Sequence, residues 1–194
     1  MKILTIASPR SGGLYFTKSL ADTYRLFHYH EPDFDEFDYI LKRRKGVSIK
    51  IHVEQLHKYY NKPTIDELDD VIDRIYNDVS KHNFDKIFLL DRRNVIEHAE
   101  AMINVLYHKK DMNVKWSSDD EEFIQLRNSK KYDYMIEYSK SVSMWLDKLS
   151  DKFNIPKMYY EDLYYNTSIV DLQGLEFKPD VTKKLRDSGS TKII

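Results

Sequence analysis

Hydrophobic residues along the chain form two kinds of pattern, short apolar runs and longer stretches with helical periodicity. Residues 3–7 and 85–91 are apolar runs typical of buried strands, residues 46–52 show the alternating pattern of a short strand, and residues 156–160 predict a fourth strand. Stretches with one apolar face occur at residues 14–24, 64–82, 95–106 and 131–153. This alternation predicts an α/β fold, a three-layer sandwich around a mostly parallel central sheet, within a single domain of residues 1–194.

Three polar segments interrupt this alternation. Residues 27–39 alternate aromatic and acidic side chains, and Pro32 argues against a continuous helix, so the segment predicts either the wall of a pocket or a plain surface connection. Residues 107–130 include the acidic run 119–122 and predict a loop with a short helix, suited to act as a lid. A last helical stretch is expected at residues 179–186.

Composition and charge exclude several classes of protein. The chain carries 31 Lys and Arg residues against 32 Asp and Glu residues, a balance that argues against nonspecific nucleic-acid binding. The absence of cysteine excludes disulfides, thiolate metal sites and a cysteine nucleophile. No apolar run approaches the ~18 residues that a membrane-spanning helix needs, and the first residues lack the pattern of a secretion signal. We therefore expect a cytoplasmic protein without a membrane partner, and the sequence leaves a homo-oligomer open.

The first apolar run ends in a turn that leads directly into a helical pattern. The turn reads Ser8-Pro9-Arg10-Ser11-Gly12-Gly13. The free N–H groups in the first turn of a helix, together with the helix dipole, favour an anion at such a corner. Glycine lets the backbone approach a phosphate closely, and Arg10 can donate two hydrogen bonds to its oxygens. The corner predicts an anion-binding loop, with a plain strand–turn–helix as the alternative.

Polar side chains also lie in the last part of the second predicted strand and directly after the third. Lys50 and His52 lie two residues apart and therefore share one face of a strand. Arg92 and Arg93 precede a helical pattern, where the positive end of the helix dipole disfavours cations unless an anion is bound. Ligands bind beyond the carboxyl ends of strands in open parallel sheets, so we expect these side chains near the Arg10 loop.

A nucleotide-dependent kinase or NTPase is one interpretation of the opening loop. Residues 12–19 imitate the Walker spacing G-x-x-x-x-G-K-[ST], with Thr17 in place of the second glycine. The Walker loop starts at a strand end, however, so Lys18 would here lie inside a helix already under way. Asp91, the candidate Mg²⁺ ligand on the third strand, is followed at once by two arginines.

A second interpretation comes from a family resemblance. Residues 9–13, Pro-Arg-Ser-Gly-Gly, resemble the P-[KR]-S-G-[TS] loop of sulfotransferases that use 3'-phosphoadenosine 5'-phosphosulfate (PAPS). Residues 50–52 resemble the Lys-x-His segment of that family, and residues 90–94 resemble its 3'-phosphate-binding corner. Residues 159–163, Tyr-Tyr-Glu-Asp-Leu, are similar to a segment near the family's last strand, and residues 30–32, His-Glu-Pro, to the Gly-Glu-Pro of bacterial members. The resemblance implies a P-loop NTPase-like sulfotransferase fold.

The resemblance also implies which residues bind the donor. The 5'-phosphosulfate would be bound by the loop and the start of the helix, at Arg10, Ser11, Gly12, Gly13 and Leu14. Tyr15 would occupy the position of an aromatic residue that stacks on adenine. Arg93 would bind the 3'-phosphate, and the other residues of the cofactor site would be Arg92, Ala101 and Tyr160. No metal is implied.

The acceptor side follows from the same resemblance. His52 would be the base that takes the proton of the acceptor, with Lys50 beside it, and Glu31 is the other candidate base. Arg10 would also neutralise charge on the bridging oxygen as the sulfuryl group departs. The acceptor would offer a hydroxyl or amine on a small molecule or a carbohydrate.

Departures from the family pattern keep a third class of function open. Gly13-Leu14 stands where the family has a hydroxyl pair, and Thr17 lies one turn further along. Ala101 replaces a serine, and the glycine-rich element near the C-terminus is shortened to residues 189–192. These differences favour a noncatalytic descendant that binds a phosphate or sulfate ligand. Lys50 and His52 favour an enzyme, because a binding module needs no base.

Overall fold

The described part of the protein is built on five parallel strands. The computed structural model describes residues 1–53, 55, 68–107, 121–164, 172–175 and 177. The strands within this part of the chain are β1 (Lys2–Ala7), β2 (Phe27–His30), β3 (Val47–His52), β4 (Lys86–Asp91) and β5 (Lys157–Tyr159). They form one sheet in the order β2-β3-β1-β4-β5, and every pairing in it is parallel. The predicted α/β class and the parallel sheet are confirmed.

The helices occupy the stretches where the sequence shows helical periodicity. They are α1 (Gly13–Tyr24), α2 (Phe37–Arg43), α3 (Leu68–Lys81), α4 (Val95–Tyr107), α5 (Glu121–Arg127), α6 (Lys130–Phe153) and α7 (Tyr160–Tyr164). The helices predicted at residues 14–24, 95–106 and 131–153 are confirmed, and the one predicted at residues 64–82 is confirmed from Leu68 onward. Residues 64–67, residues 108–120 of the expected lid, the helical stretch 179–186 and the element 189–192 lie outside the described residues.

The central strands are apolar because both of their faces are covered. In β1 every residue from Ile3 to Ala7 is buried, as the near-continuous apolar run requires. Phe16 of α1 packs edge-on against Phe88 of β4 with ring centroids 5.3 Å apart, and neither ring is more than 1% exposed. Full burial of such a ring contributes about 2–3 kcal/mol, so this contact fixes α1 on the sheet.

The segment 27–39 differs from its predicted form. The sequence predicts a surface connection there, whereas the chain forms β2, a 3-10 turn (Phe34–Glu36) and the start of α2. β2 lies at the edge of the sheet, only four residues long, and pairs with β3 so that His30 is opposite Lys50. Its sequence, Phe-His-Tyr-His, is not the apolar run of a central strand, and Phe27 is 51% exposed. This pairing brings Glu31, the residue after β2, to the carboxyl edge of the sheet.

The described residues divide into two compact units. The first contains the sheet and consists of the described residues within Met1–Arg93 and Val142–Pro179. The second includes residues 94–107 and 121–141, and its small core is formed by Ala99, Ile103, Tyr132 and Met135. The single domain expected from the sequence stays a prediction. No helix in the described part of the chain is both long enough and apolar enough to cross a membrane.

Candidate functional site

The carboxyl edge of the sheet collects the chemically active side chains of the first unit. Ala7, the last residue of β1, is opposite His52 of β3 on one side and Leu90 of β4 on the other. The connection after β1 leads to β2, at one edge of the sheet, and the connection after β4 leads to β5, at the opposite edge. The carboxyl ends of β1 and β4 therefore flank a point where the strand order reverses, which is where open parallel sheets bind ligands.

The loop between β1 and α1 adopts an unusual backbone conformation. Arg10 and Gly12 have φ angles of 58° and 76°, in the left-handed region. The first N–H donated within α1 is that of Phe16, to the carbonyl of Gly12 at 3.0 Å, so the N–H groups of Gly13 and Leu14 precede the helical ladder. They are the donors that the sequence predicted for an anion.

Close packing explains both glycines of the loop. A Cβ atom at Gly12 would lie 3.1 Å from the ring of Tyr164, whose hydroxyl also donates to the Gly12 carbonyl at 3.3 Å. A Cβ atom at Gly13 would lie 2.8 Å from the Cβ of Ala7 and 3.4 Å from Cε of Lys50. The loop therefore lies directly against β1 and the Lys50 side chain.

The hydroxyl groups of Ser11 and Thr17 already have partners within the chain. Ser11 Oγ donates to the carbonyl of Ser8 at 2.6 Å, and Thr17 Oγ1 donates to the carbonyl of Gly13 at 2.7 Å. Both side chains are buried. Thr17 thus stabilises the first turn of α1 and does not replace the hydroxyl pair that the family resemblance leads one to expect at positions 13 and 14.

Two arginines meet at the loop. Arg92 Nε donates to the carbonyl of Arg10 at 2.9 Å, and the Arg92 guanidinium lies 4.2 Å from the ring centroid of Tyr160. Burial, and then the charge of Arg92, lower the pKa of Arg10 below its ordinary value. No ion pair joins Arg10 to any acid in the described part of the chain. Two cations beside the positive end of α1 make this corner electropositive.

The second cluster centres on Glu31. Its Oε1 forms an ion pair with Lys50 Nζ, lies 3.2 Å from His52 Nε2, and lies 3.4 Å from His30 Nε2. The Lys50 side chain is 3% exposed, whereas that of Glu31 is 31% exposed. Gln55 braces the cluster, because its amide accepts from the His52 N–H at 2.8 Å and donates to the Glu31 carbonyl at 3.2 Å. We call Glu31, Lys50 and His52 the acid–base cluster.

The charges of this cluster set its protonation. Burial, and then the charge of Lys50, lower the pKa of His52 to about 3, against the opposing attraction of Glu31. His52 is therefore a neutral imidazole at neutral pH, with a lone pair able to accept a proton. Burial alone would raise the pKa of Glu31, but its hydrogen bond and charge attraction to Lys50 hold that pKa below its ordinary value. Glu31 is therefore a carboxylate.

Arg93, the residue implied to bind a 3'-phosphate, already contacts acids. Its two terminal nitrogens donate to the two oxygens of Asp162 at 2.9 and 2.7 Å. Its backbone N–H donates to Glu161 at 3.0 Å, and its guanidinium lies 4.5 Å from the ring centroid of Tyr159. These hydrogen bonds raise the pKa of Arg93. Asp162 and Glu161 lie in the segment that resembles the family, yet no pattern in that segment indicates a contact with Arg93.

Asp91 lies in a separate buried network. It is fully buried, forms an ion pair with Lys157 at 3.0 Å, and accepts from Ser143 Oγ at 2.7 Å. Its other oxygen accepts from the N–H of Arg92 at 2.8 Å. Burial lowers the pKa of Lys157, but hydrogen bonds to Asp147 and Asp91 outweigh this and raise it. Asp91 thus supports the corner that carries Arg92.

The remaining residues implied by the resemblance lie in different surroundings. Leu14 is 45% exposed at the start of α1, and the ring of Tyr15 lies 6.1 Å from that of Tyr164. Tyr160 is buried beneath Arg92. Ala101 lies on α4, in the second unit.

Neither a search for metal-binding side chains nor comparison with known proteins indicates a function. The described residues contain no group of three or more His, Asp or Glu side chains arranged to hold a metal ion. A scan against protein-family models finds no match to this chain, and a search of curated proteins finds no match either.

Proposed function

We propose that the protein is a sulfotransferase that moves a sulfuryl group from PAPS to a hydroxyl or amine of a small-molecule or carbohydrate acceptor. The observation that carries the proposal is the contact between two sites. The loop that carries Arg10 packs against Lys50, since a Cβ atom at Gly13 would lie 3.4 Å from Lys50 Cε. An electropositive corner and a neutral histidine thus adjoin at one edge of the sheet. The layered, P-loop NTPase-like sulfotransferase fold is part of the same proposal.

The donor's phosphosulfate would bind at the start of α1. The N–H groups of Gly13 and Leu14 and the guanidinium of Arg10 would donate to its oxygens. Arg92 holds the Arg10 carbonyl and so maintains the backbone conformation of the loop. Burial, and then the repulsion between the two guanidinium groups, lower the pKa of Arg10, and a bound anion would relieve that repulsion.

The reaction would be an in-line displacement at sulfur. The acceptor oxygen forms a bond to sulfur, while the bond between sulfur and the bridging oxygen breaks and its electron pair remains on the 5'-phosphate. The products are adenosine 3',5'-bisphosphate (PAP), a sulfate ester and the proton of the acceptor. Alignment and positive charge supply most of the acceleration in such transfers, and Arg10 is the residue placed to stabilise the departing oxygen.

The acceptor's proton would pass to His52. Its pKa of about 3 makes the unliganded imidazole a weak base. A bound anion would counter the positive charges of Lys50 and Arg10, both of which lower that pKa, and would thereby raise its basicity. Glu31 is the alternative base, although its charge is already engaged by Lys50.

The binding claim can be tested by titration calorimetry with PAP. Arg10→Ala should weaken binding at least tenfold because it removes the charged donor of the loop. Lys18→Ala is the matched control, since it removes one positive charge from the exposed surface of α1. Loss of binding in Lys18→Ala, with Arg10→Ala unaffected, would instead indicate the kinase or NTPase interpretation. The absence of binding at millimolar PAP would reject the proposal.

The chemical claim needs a transfer assay with labelled PAPS and a panel of sugars and phenols. His52→Ala should abolish transfer and leave the affinity for PAP within twofold. If His52→Ala retains activity while Glu31→Gln loses it, Glu31 is the base.

A noncatalytic anion-binding module is the second candidate. The engaged hydroxyls of Ser11 and Thr17 favour it, because they leave the loop with fewer donors for a transferring group. PAP binding without transfer to any acceptor of the panel, and without release of sulfate from PAPS, would support this candidate.

A further inference from the structure

The two corners of the carboxyl edge that carry arginines differ in their acidic partners. Arg10 forms no ion pair within the described residues. Arg93 is bound through two parallel hydrogen bonds by Asp162, and its backbone N–H is bound by Glu161. A carboxylate held in this bidentate way occupies the same two donors that a phosphate group would use.

The local charge around Arg93 also disfavours a second phosphate. One guanidinium and two carboxylates give a net charge of -1 at this corner. Of the neighbouring charged groups, Arg92 lies over Tyr160 and holds the Arg10 loop, and Lys157 is paired with Asp91 and Asp147. A phosphate with about two negative charges would have to displace Asp162 and would then lie beside both acids.

We propose that Asp162 is a specificity-determining residue that occupies Arg93, so that the donor is recognised through its 5'-phosphosulfate and its 3'-phosphate contributes no affinity. The proposal rests on the function proposed above and narrows it. The donor class then includes adenosine 5'-phosphosulfate as well as PAPS, since the two differ only in the phosphate that the corner does not bind. Asp162 lies three residues after β5, in the first turn of α7, where a carboxylate also interacts favourably with the positive end of the helix dipole.

The experiment compares PAP with adenosine 5'-monophosphate (AMP) in titration calorimetry on the wild-type protein and on Asp162→Asn. The wild type should bind the two nucleotides with affinities within threefold of each other. Asp162→Asn should strengthen PAP binding tenfold or more, because it frees the Arg93 guanidinium, and should leave AMP binding within twofold. Asp22→Asn, which removes an exposed acid of α1, controls for the change in net charge and should alter neither.

The possible failures are distinct. A wild-type preference for PAP of tenfold or more would overturn the specificity proposal and leave the sulfotransferase proposal standing. Binding of neither nucleotide would overturn both. An equal gain for PAP and AMP in Asp162→Asn would indicate a general charge effect and would also overturn the role of Asp162. The wild-type comparison alone decides the matter if Asp162→Asn does not fold.

Discussion

The ion pair between Glu31 and Lys50 gives a quantitative test of how the acid–base cluster is held, because its members differ in burial. The Lys50 side chain is 3% exposed and that of Glu31 is 31% exposed. Removal of one member of a buried ion pair lowers the free energy of unfolding by about 3–5 kcal/mol when the remaining charge stays buried. The cost is small when the remaining charge can reach water. The two single substitutions should therefore have unequal effects on stability.

Glu31→Gln should destabilise the protein by about 2 kcal/mol, because the buried ammonium ion of Lys50 then faces a neutral amide in place of the carboxylate. That cost is below the usual range because Glu31 is partly exposed, so water screens the pair. Lys50→Met should cost about 1 kcal/mol or less, since Met has a similar volume and the remaining carboxylate can be hydrated. With a urea m value of about 2 kcal/mol/M, the two midpoints should differ by about 0.5 M.

The assay is urea unfolding at pH 7, followed by an NMR titration of His52. Lys50→Met should raise the pKa of His52, because the charge that most depresses it after burial is gone. The neutral His52 stabilises the fold above its unfolded pKa of about 6.5, and this contribution is lost as the pH falls toward about 3. The loss of stability caused by protonation of His52 should therefore begin near pH 6.5 in both proteins, but in Lys50→Met it should be smaller and should end at a higher pH. The reasoning is refuted if Lys50→Met costs as much as Glu31→Gln, or if the pKa of His52 does not rise.

Three further substitutions or additions test other parts of the site. Gly13→Ala should destabilise the protein by about 1–2 kcal/mol in urea unfolding, because the new methyl meets Ala7 at 2.8 Å; a change no larger than that of Lys18→Ala would contradict the packing described here. Lys157→Met should destabilise the protein by about 3 kcal/mol, because the buried carboxylate of Asp91 loses its counter-ion. Lys152→Met should cost about 1 kcal/mol or less, because the ion pair of Lys152 with Asp73 is exposed. Equal costs would refute the role of the Asp91 network. Addition of PAP should raise the pKa of His52 in an NMR titration, and an unchanged or lower pKa would place the anion away from the acid–base cluster.

Much of the sheet could be predicted from the sequence because its central strands are buried on both faces. The residues of β1 and β4 form nearly continuous apolar runs, and those of β3 alternate apolar and polar side chains. β2 could not be predicted in the same way, since its four residues are partly exposed and its identity as a strand depends on pairing with β3. A short edge strand has too little apolar surface to produce a pattern of its own.

The same reasoning explains which parts of the candidate site could be anticipated. The proximity of His52 to the Arg10 loop follows from parallel strands whose carboxyl ends meet at one edge, and the registers confirm that β1 and β3 end together. The contact between Glu31 and Lys50 depends on the register of β2, so no local pattern could give it. The pairing of Arg93 with Asp162 joins residues 69 positions apart and is set by the packing of α7 after β5.

The most direct test of the central claim is a crystal structure of the protein with PAP bound. The account predicts that the 5'-phosphate accepts hydrogen bonds from the N–H groups of Gly13 and Leu14 and from the Arg10 guanidinium, on the side of the loop that adjoins Lys50 and His52. A 5'-phosphate bound elsewhere on the sheet, or a crystal soaked in millimolar PAP that contains none at this corner, would contradict it.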